Sequence, residues 1–391
     1  MVLLCADPTS AETLNVGGTE LPASLGNPYA AIGVTPGSIL GSIYDGLTQI
    51  DSDGSLKPAL AVSWVNDGDR RWKFKLRPGV QFQNGASLTS ENVAANINFL
   101  TLPENAGYPI ATEMSAIEFA RAIDEQTVEV ITKFPDPMLA KRFSLLRIVD
   151  FELWSEIGPD AYARAPIGTG PFVLDSWNQG GAIAFAAFKH SWRDPGDFSR
   201  LRIFTLKDSI ARTQSLIAGQ IDLALGLTPE DAPLIESQGM NVKVHYGNQV
   251  MAIGLPNALK GESPLNDQRV RQAINYAVNR TAIVDYILGG MFPLATQGAT
   301  PANVGHNPRI MPYTYDVERA KALLSEAGYA DGIELVIEVL VGMGPSDSLI
   351  YQQVAQDLSQ VGITVDLRTT TYPERTRKYF SGDWGNVDGF S

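Results

Sequence analysis

The chain has 391 residues, with 30 lysines and arginines against 43 aspartates and glutamates, a net charge of −13, three histidines and one cysteine. A hydrophobic fraction of 44% excludes gross disorder, and at roughly 150 residues per domain the length predicts two or three domains. An acidic chain without a Lys/Arg cluster is a poor nucleic-acid binder, a lone cysteine excludes a disulfide framework or a cysteine zinc site, and no apolar run is long enough to span a membrane.

Met1–Ala6 is a short apolar run, and Thr9-Ser10-Ala11 are the small residues that precede signal-peptidase sites. Residues 1–11 therefore read as the stump of a secretory signal or, equally, as a frayed terminus. A lipid anchor at Cys5 is disfavoured, because Leu4 stands where a small residue is needed. Leu14-Asn15-Val16 begins an extended segment. Ser38 to Leu47 reads as a helix stopped near Gly46. Trp72-Lys73-Phe74-Lys75-Leu76 alternates like a half-buried strand. Asn84-Gly85 is a turn, and Thr89 caps a helix running to about Leu100.

Thr127–Thr132 is a strand. Gly168-Thr169-Gly170-Pro171 turns into a strand at Phe172, whose hairpin partner is Ile183–Phe188. No lysine or immediate helix follows that glycine turn, so a tight turn is expected there and not a phosphate cradle. Leu201–Phe204, a helix from Ser209 to about Ala218, and Ile221–Leu225 form a strand-helix-strand unit that suggests parallel pairing. Val242–Leu255 is extended. Asn266-Asp267-Gln268 caps a long helix predicted over Arg269–Leu288, and Asp316 caps another to Ala327. Ile333–Leu340, Asp347–Gln360 and Ile363–Leu367 then read as strand, helix and strand. Val270, Ala273, Ile274, Ala277 and Val278 recur at helical spacing and form a core stripe. Arg269, Arg271 and Arg280 read as a solvated or ion-paired helix face, with an anion site as the less favoured reading.

Four segments, in this order, resemble a known family. They are Leu60–Trp64 followed by Trp72–Val93, with Arg77-Pro78-Gly79-Val80 at its centre; Pro166–Phe172; Leu265–Arg280; and Ala320–Tyr329. They are similar to the extracytoplasmic solute-binding proteins of oligopeptide/dipeptide-type ABC transporters, the family 5 solute-binding proteins. The resemblance implies an α/β, two-lobe periplasmic-binding-protein fold (type II-like) with an extra subdomain in lobe I. It maps subdomain Ia to 12–45 and 166–250, subdomain Ib to 46–165 and lobe II to 251–391. Ser381-Gly382-Asp383-Trp384 is similar to a helix end after which family members continue, so lobe II is expected to be incomplete at its C-terminus, with sheet edges unpaired and solute binding weakened.

The function this implies is binding without bond chemistry. The lobes close on a small peptide or peptide-like solute and present it to the transmembrane subunits of an ABC permease. The protein is expected to be a periplasmic monomer, soluble or anchored outside the cytoplasmic membrane, with no cofactor, no metal and no nucleic-acid partner. An opine, a sugar or a metal chelate is the alternative solute on the same fold, and a sensor or chaperone-like fragment the alternative role. An enzyme would need a clustered acid, base or nucleophile, and three scattered histidines do not supply one.

Dipeptide-binding members place an arginine in the loop after a lobe II strand. The matching loop here, Val341–Asp347, has none, so a fixed dipeptide carboxylate clamp is not expected. Candidate solute contacts are Thr19, Glu20 and Leu21 after the first strand, with Glu20 suited to an ammonium. Met343 and Asp347 follow a lobe II strand, with Asp347 read more readily as a helix cap. Tyr44, which faces either cleft or core, and the aromatics Tyr372 and Trp384 complete the set.

Overall fold

The β-branched and aromatic runs of the N-terminal half pair into two sheets. In the computed structural model these lie in one of two compact units, Met1–Gly226, the other being Leu227–Ser391. The structure describes residues 12–19, 21–22, 24–31, 34–178, 181–244, 250–258, 261, 263–301, 303, 305–341 and 346–391. The expected signal at 1–11 lies outside them. No helix among the described residues is long and apolar enough to cross a membrane.

The five-stranded sheet of the first unit runs Leu223–Ala224, Glu12–Gly18, Phe198–Thr205, Ala182–Ala187, Phe172–Trp177. The first three strands are parallel, and the remaining pairings are antiparallel. The strand-helix-strand unit therefore yields parallel strands, but they do not touch. Glu12–Gly18 inserts between them, held by Asn15, whose backbone N and side-chain Nδ2 both donate to Asp222 Oδ2 at 2.8 and 3.0 Å.

The second sheet is antiparallel: Ala61–Asn66, Arg71–Leu76, Thr127–Thr132, Ile117–Asp124. Its inner face, with Phe74, Val128 and Val130, shares a core with Val93, Ile97 and Leu100 of the helix Ser90–Thr101. The Thr89 hydroxyl accepts from Asn92 N at 3.1 Å, capping that helix as its sequence predicts.

Two predicted helices are cut short by distant partners. The first is Val34–Leu40 and not Ser38–Leu47. Beyond Gly41 the carbonyls of Ser42 and Ile43 accept from Phe172 N (3.0 Å) and Gly170 N (2.8 Å), so they cannot serve a continuing helix. The glycines there are obligatory. A Cβ on Gly168 or Gly170 would collide with the Ile43 backbone. The second is Gln268–Ala277, followed by extended Val278, the short helix Arg280–Ala282 and a wide turn Ile283–Ile287. Buried Asp357 accepts from Asn279 N at 2.8 Å, and Asn279 Oδ1 accepts from Ala282 N at 3.0 Å. A capping residue thus restarts the helix at a position where the apolar periodicity runs straight through.

The second unit holds a parallel sheet in the order Ile363–Thr369, Ile333–Val339, Gly389–Phe390. Gly254 extends it by an antiparallel bridge to Phe390. Leu335, Ile337 and Val339 alternate onto one face, in cores shared with Ile350, Tyr351, Val354 and Leu358 of the helix Asp347–Ser359. Glu338 points to the other face, where Lys378 of the helix Tyr372–Ser381 meets it.

Candidate functional site

Open α/β sheets bind ligands outside the carboxyl ends of their strands, where loops diverge and backbone groups are free. Each unit offers one such edge.

In the first unit the chain leaves the strand Glu12–Gly18 at Thr19. Gly17 is closely packed, since a Cβ would lie 2.6 Å from Ile221 Cδ1 and that side chain would have to shift. One guanidinium ties the neighbouring loops together. Arg212, only 3% exposed, donates through Nη1 to Leu206 O (2.5 Å) and Lys207 O (2.9 Å), and through Nη2 to Gly226 O (2.5 Å). Thr19 sits against this clasp, its Cγ2 3.1 Å from where a Gly226 Cβ would be. Leu21 is half-buried on the unit's core. Glu20 lies outside the described residues.

Tyr44 belongs to the core. It is fully buried, its hydroxyl donates to Gly26 O at 2.7 Å, and its ring lies against Gly168. Burial above all, with Tyr162 and Tyr29 beside it, pushes its pKa well above the ordinary tyrosine value. Next to it is a buried polar knot that the sequence did not reveal. Asp45 pairs with Arg193 Nε at 2.8 Å and accepts from Thr169 Oγ1 at 2.7 Å and Trp192 Nε1 at 2.8 Å. Arg193 Nη2 also donates to Gly41 O at 2.8 Å, and Arg77 stacks over Trp192 at 4.6 Å. The glycine turn at 168–171 is thus a packing and hydrogen-bonding joint. Only residue spacing was available to signal this, and Asp45 is 124 residues from Thr169.

In the second unit the carboxyl edge gathers Glu338, Tyr351, Arg375, Lys378 and Ser391. Lys378 Nζ lies 2.6 Å from Glu338 Oε1, while Glu338 Oε2 is buried with no hydrogen-bond partner among the described residues. Arg375 Nε donates to Ser391 O at 2.6 Å, and Ser391 Oγ accepts from Leu340 N at 2.9 Å. Burial foremost raises the Tyr351 pKa, with nearby Asp347 adding to it. Asp347 is buried in the first turn of its helix and accepts from Ser348 N at 2.7 Å, a position that also suits the helix dipole. Trp384 is 6% exposed and stacked on Phe390, ring centroids 4.1 Å apart. Met343 lies outside the described residues, as does the side chain of Tyr372.

Arg269, Arg271 and Arg280 are all engaged. Arg269 pairs with Asp267 at 2.6 Å, Arg271 donates to Leu265 O at 2.6 Å, and Arg280 to Asn275 O at 2.7 Å. A polar groove of about 750 Å³ lies over the outer sheet face of this unit, lined by Asn257, Glu334, Thr364, Asp366, Arg368 and Asn386. Its arginine is held by Asp366 at 2.5 Å. Among the described residues no group of three His, Cys, Asp or Glu side chains could hold a metal ion.

Residues 55–388 match the family described as bacterial extracellular solute-binding proteins, family 5 Middle. The chain belongs to this family. As a family 5 member it is similar to the glutathione-binding protein GsiB of Escherichia coli (strain K12), 29% identical over 351 residues, and to GsiB of Salmonella typhi, 28% identical. Those matches cover 86% of this chain and 65% of the relatives, so the chain spans less than two thirds of their length. Its fold is similar to NikA from Brucella suis in complex with Fe(III)-EDTA (TM-score 0.83, 24% identity, covering 97% of this chain and 78% of that one). It is also similar to AgaA from A. tumefaciens R10 in complex with agropinic acid (TM-score 0.78, 24% identity, 97% and 76%). DppA from Helicobacter pylori in complex with the peptide STSA gives a TM-score of 0.76 at 21% identity, covering 97% and 77%. The expected α/β periplasmic-binding-protein fold is the fold of these structures.

Proposed function

We propose that this family 5 member is the extracytoplasmic solute-binding component of an ABC importer, acting in the periplasm. It takes up a peptide or peptide-like solute and delivers it to the permease without bond chemistry. The observation that supports this most is the continuous family match over residues 55–388. The two carboxyl edges support it physically, because both present loop backbone and fixed side chains outside parallel strands.

In this reading Thr19, Glu20 and Leu21 contact solute from the first unit, and Met343, Asp347 and Tyr372 from the second. Tyr44 and Trp384 are packing residues beneath those edges. Subdomain Ia is assigned to 12–45 and 166–250, Ib to 46–165 and lobe II to 251–391. A peptide is preferred to other solutes because relatives 28–29% identical to this chain are named for glutathione, itself a tripeptide.

Native mass spectrometry of protein purified from its host tests the reading, together with thermal shift against glutathione and the tetrapeptide STSA. A ligand at a hundred times its Kd stabilises the folded state by about 2.7 kcal/mol, a clear rise in Tm. A co-purified peptide-like solute or such a rise is expected. A released reaction product, or no solute and no shift, refutes it.

A further inference from the structure

The strand Ile363–Thr369 is an outer edge of the second unit's parallel sheet. An unpaired edge is a template for another strand, and folded proteins blunt such edges with bulges, prolines, lysines or short length. Other edges among the described residues are blunted in this way. Ala61–Asn66, Ile117–Asp124 and Phe172–Trp177 each carry a register shift, and Leu223–Ala224 is only two residues long. The far side of the second unit's sheet, Gly389–Phe390, is bridged by Gly254. Ile363–Thr369 has none of these devices. It runs seven residues in unbroken register with Ile333–Val339 and contains neither proline nor lysine.

The direction of its peptide groups follows from the bonds at its two ends. Gly362 O accepts from Ile333 N at 3.1 Å, and Thr370 N donates to Val339 O at 3.0 Å. By alternation the N–H and C=O groups of Thr364, Asp366 and Arg368 point into the sheet, and those of Val365, Leu367 and Thr369 point outward. The side chains alternate as well. Val365 and Leu367 pack against Ile337, Val339 and Tyr351, while Thr364, Asp366 and Arg368 line the open polar groove. Arg368 Nε and Nη2 both bond to Asp366 Oδ2, at 2.8 and 2.5 Å, so Asp366 Oδ1 and Arg368 Nη1 have no hydrogen-bond partner among the described residues.

We propose that two copies of this chain join through this edge, antiparallel, with Leu367 opposite Leu367 of the second copy. A two-fold axis at that point makes the interface isologous. The outward groups of Leu367 then bond to each other, and those of Val365 to Thr369 of the other copy. Asp366 of each copy faces Arg368 of the other in a non-hydrogen-bonded pair, the arrangement that brings side chains closest. The charges select this register. An axis at Asp366 or at Arg368 sets like charges face to face, and an axis at Val365 sets Asp366 against Thr364. This assembly replaces the monomer expected from the sequence and requires no solute. Its contact is at the small end of specific interfaces, so it is expected to be weak and dependent on concentration.

Sedimentation velocity of the full chain over a range of concentrations tests this. A rise toward twice the monomer mass with concentration is expected. Asp366→Arg and Arg368→Asp each put like charges opposite one another at both symmetry-related pairs, and each is expected to weaken the dimer about tenfold or more. Circular dichroism checks that both variants are folded. Mixed in equal amounts they supply two arginines on one strand and two aspartates on the other, and the dimer is expected to return as a mixed pair. Neither variant keeps the internal Asp366–Arg368 pair, so recovery reads the contact between copies and not the stability of one copy. Thr369→Pro removes an outward N–H, spares the inner ladder, and is expected to weaken the dimer too. A parent chain that stays monomeric overturns the proposal. So does a dimer unaffected by these substitutions, which would use another surface, or a mixture no more associated than its separate components.

Discussion

Replacing Tyr44 by phenylalanine separates core from cleft by its pH dependence. The change removes one hydroxyl and its 2.7 Å bond to Gly26 O, which costs about 1–1.5 kcal/mol near neutral pH. Burial holds the Tyr44 pKa well above its ordinary 10.0 in the folded protein. The unfolded chain therefore ionises first. The contribution of this tyrosine is fully present below about pH 10 and is lost as pH rises, by about 1.4 kcal/mol at pH 11. Phenylalanine has nothing to ionise. Tyr29 and Tyr162, also raised by burial, are common to both proteins and cancel in the difference. Tyr44→Phe is thus expected to be the less stable protein at pH 8, equal to the parent near pH 11, and the more stable above it. Urea unfolding followed by tryptophan fluorescence at each pH measures the gap. A gap that stays constant from pH 8 to pH 11.5 would show a solvated hydroxyl and return Tyr44 to the solute-facing set.

Gly168→Ala drives a Cβ into the Ile43 carbonyl and within 2.7 Å of Tyr44 Cδ1. The joint cannot relax while Gly170 N is bonded to Ile43 O, so a loss of about 3 kcal/mol is expected, and an unchanged Tm refutes it. Lys378→Met leaves the Glu338 carboxylate, 8% exposed, without its cation. The expected loss is about 3 kcal/mol, and adding Glu338→Gln recovers most of it. Simple additivity of the two changes in denaturant midpoints would show that the pair is not coupled.

Much of the fold was legible because its signals are local. Thr89, Asp267 and Asp316 each cap the helix that their position announces, accepting from Asn92 N, Arg269 N and Arg319 N. The alternation in Trp72–Leu76 gives the buried Trp72, Phe74 and Leu76. What failed depends on partners far along the chain. No local pattern reports that Asp357 will take the Asn279 N–H, or that the 168–172 turn will claim the carbonyls of Ser42 and Ile43. The same limit governs the site. Thr19 and Leu21 follow a strand and fall on its carboxyl edge, which spacing can foresee. The burial of Tyr44 depends on Gly26 and Gly168, and that of Trp384 on Phe390.

Arginine placement shows most directly why composition misleads about function. A net charge of −13 suggests abundant acids waiting for each cation, yet buried arginines here spend their donors largely on carbonyls. Arg212 takes Leu206, Lys207 and Gly226, Arg271 takes Leu265 and Asn266, and Arg375 takes Ser391. The carbonyls that end strands and helices have no partner in their own element, and a five-donor guanidinium can join several of them at once. In that role an arginine is structural and unavailable to a ligand. Which arginines act as such clasps is set by the carbonyls their donors reach, and this becomes visible only once the chain is folded.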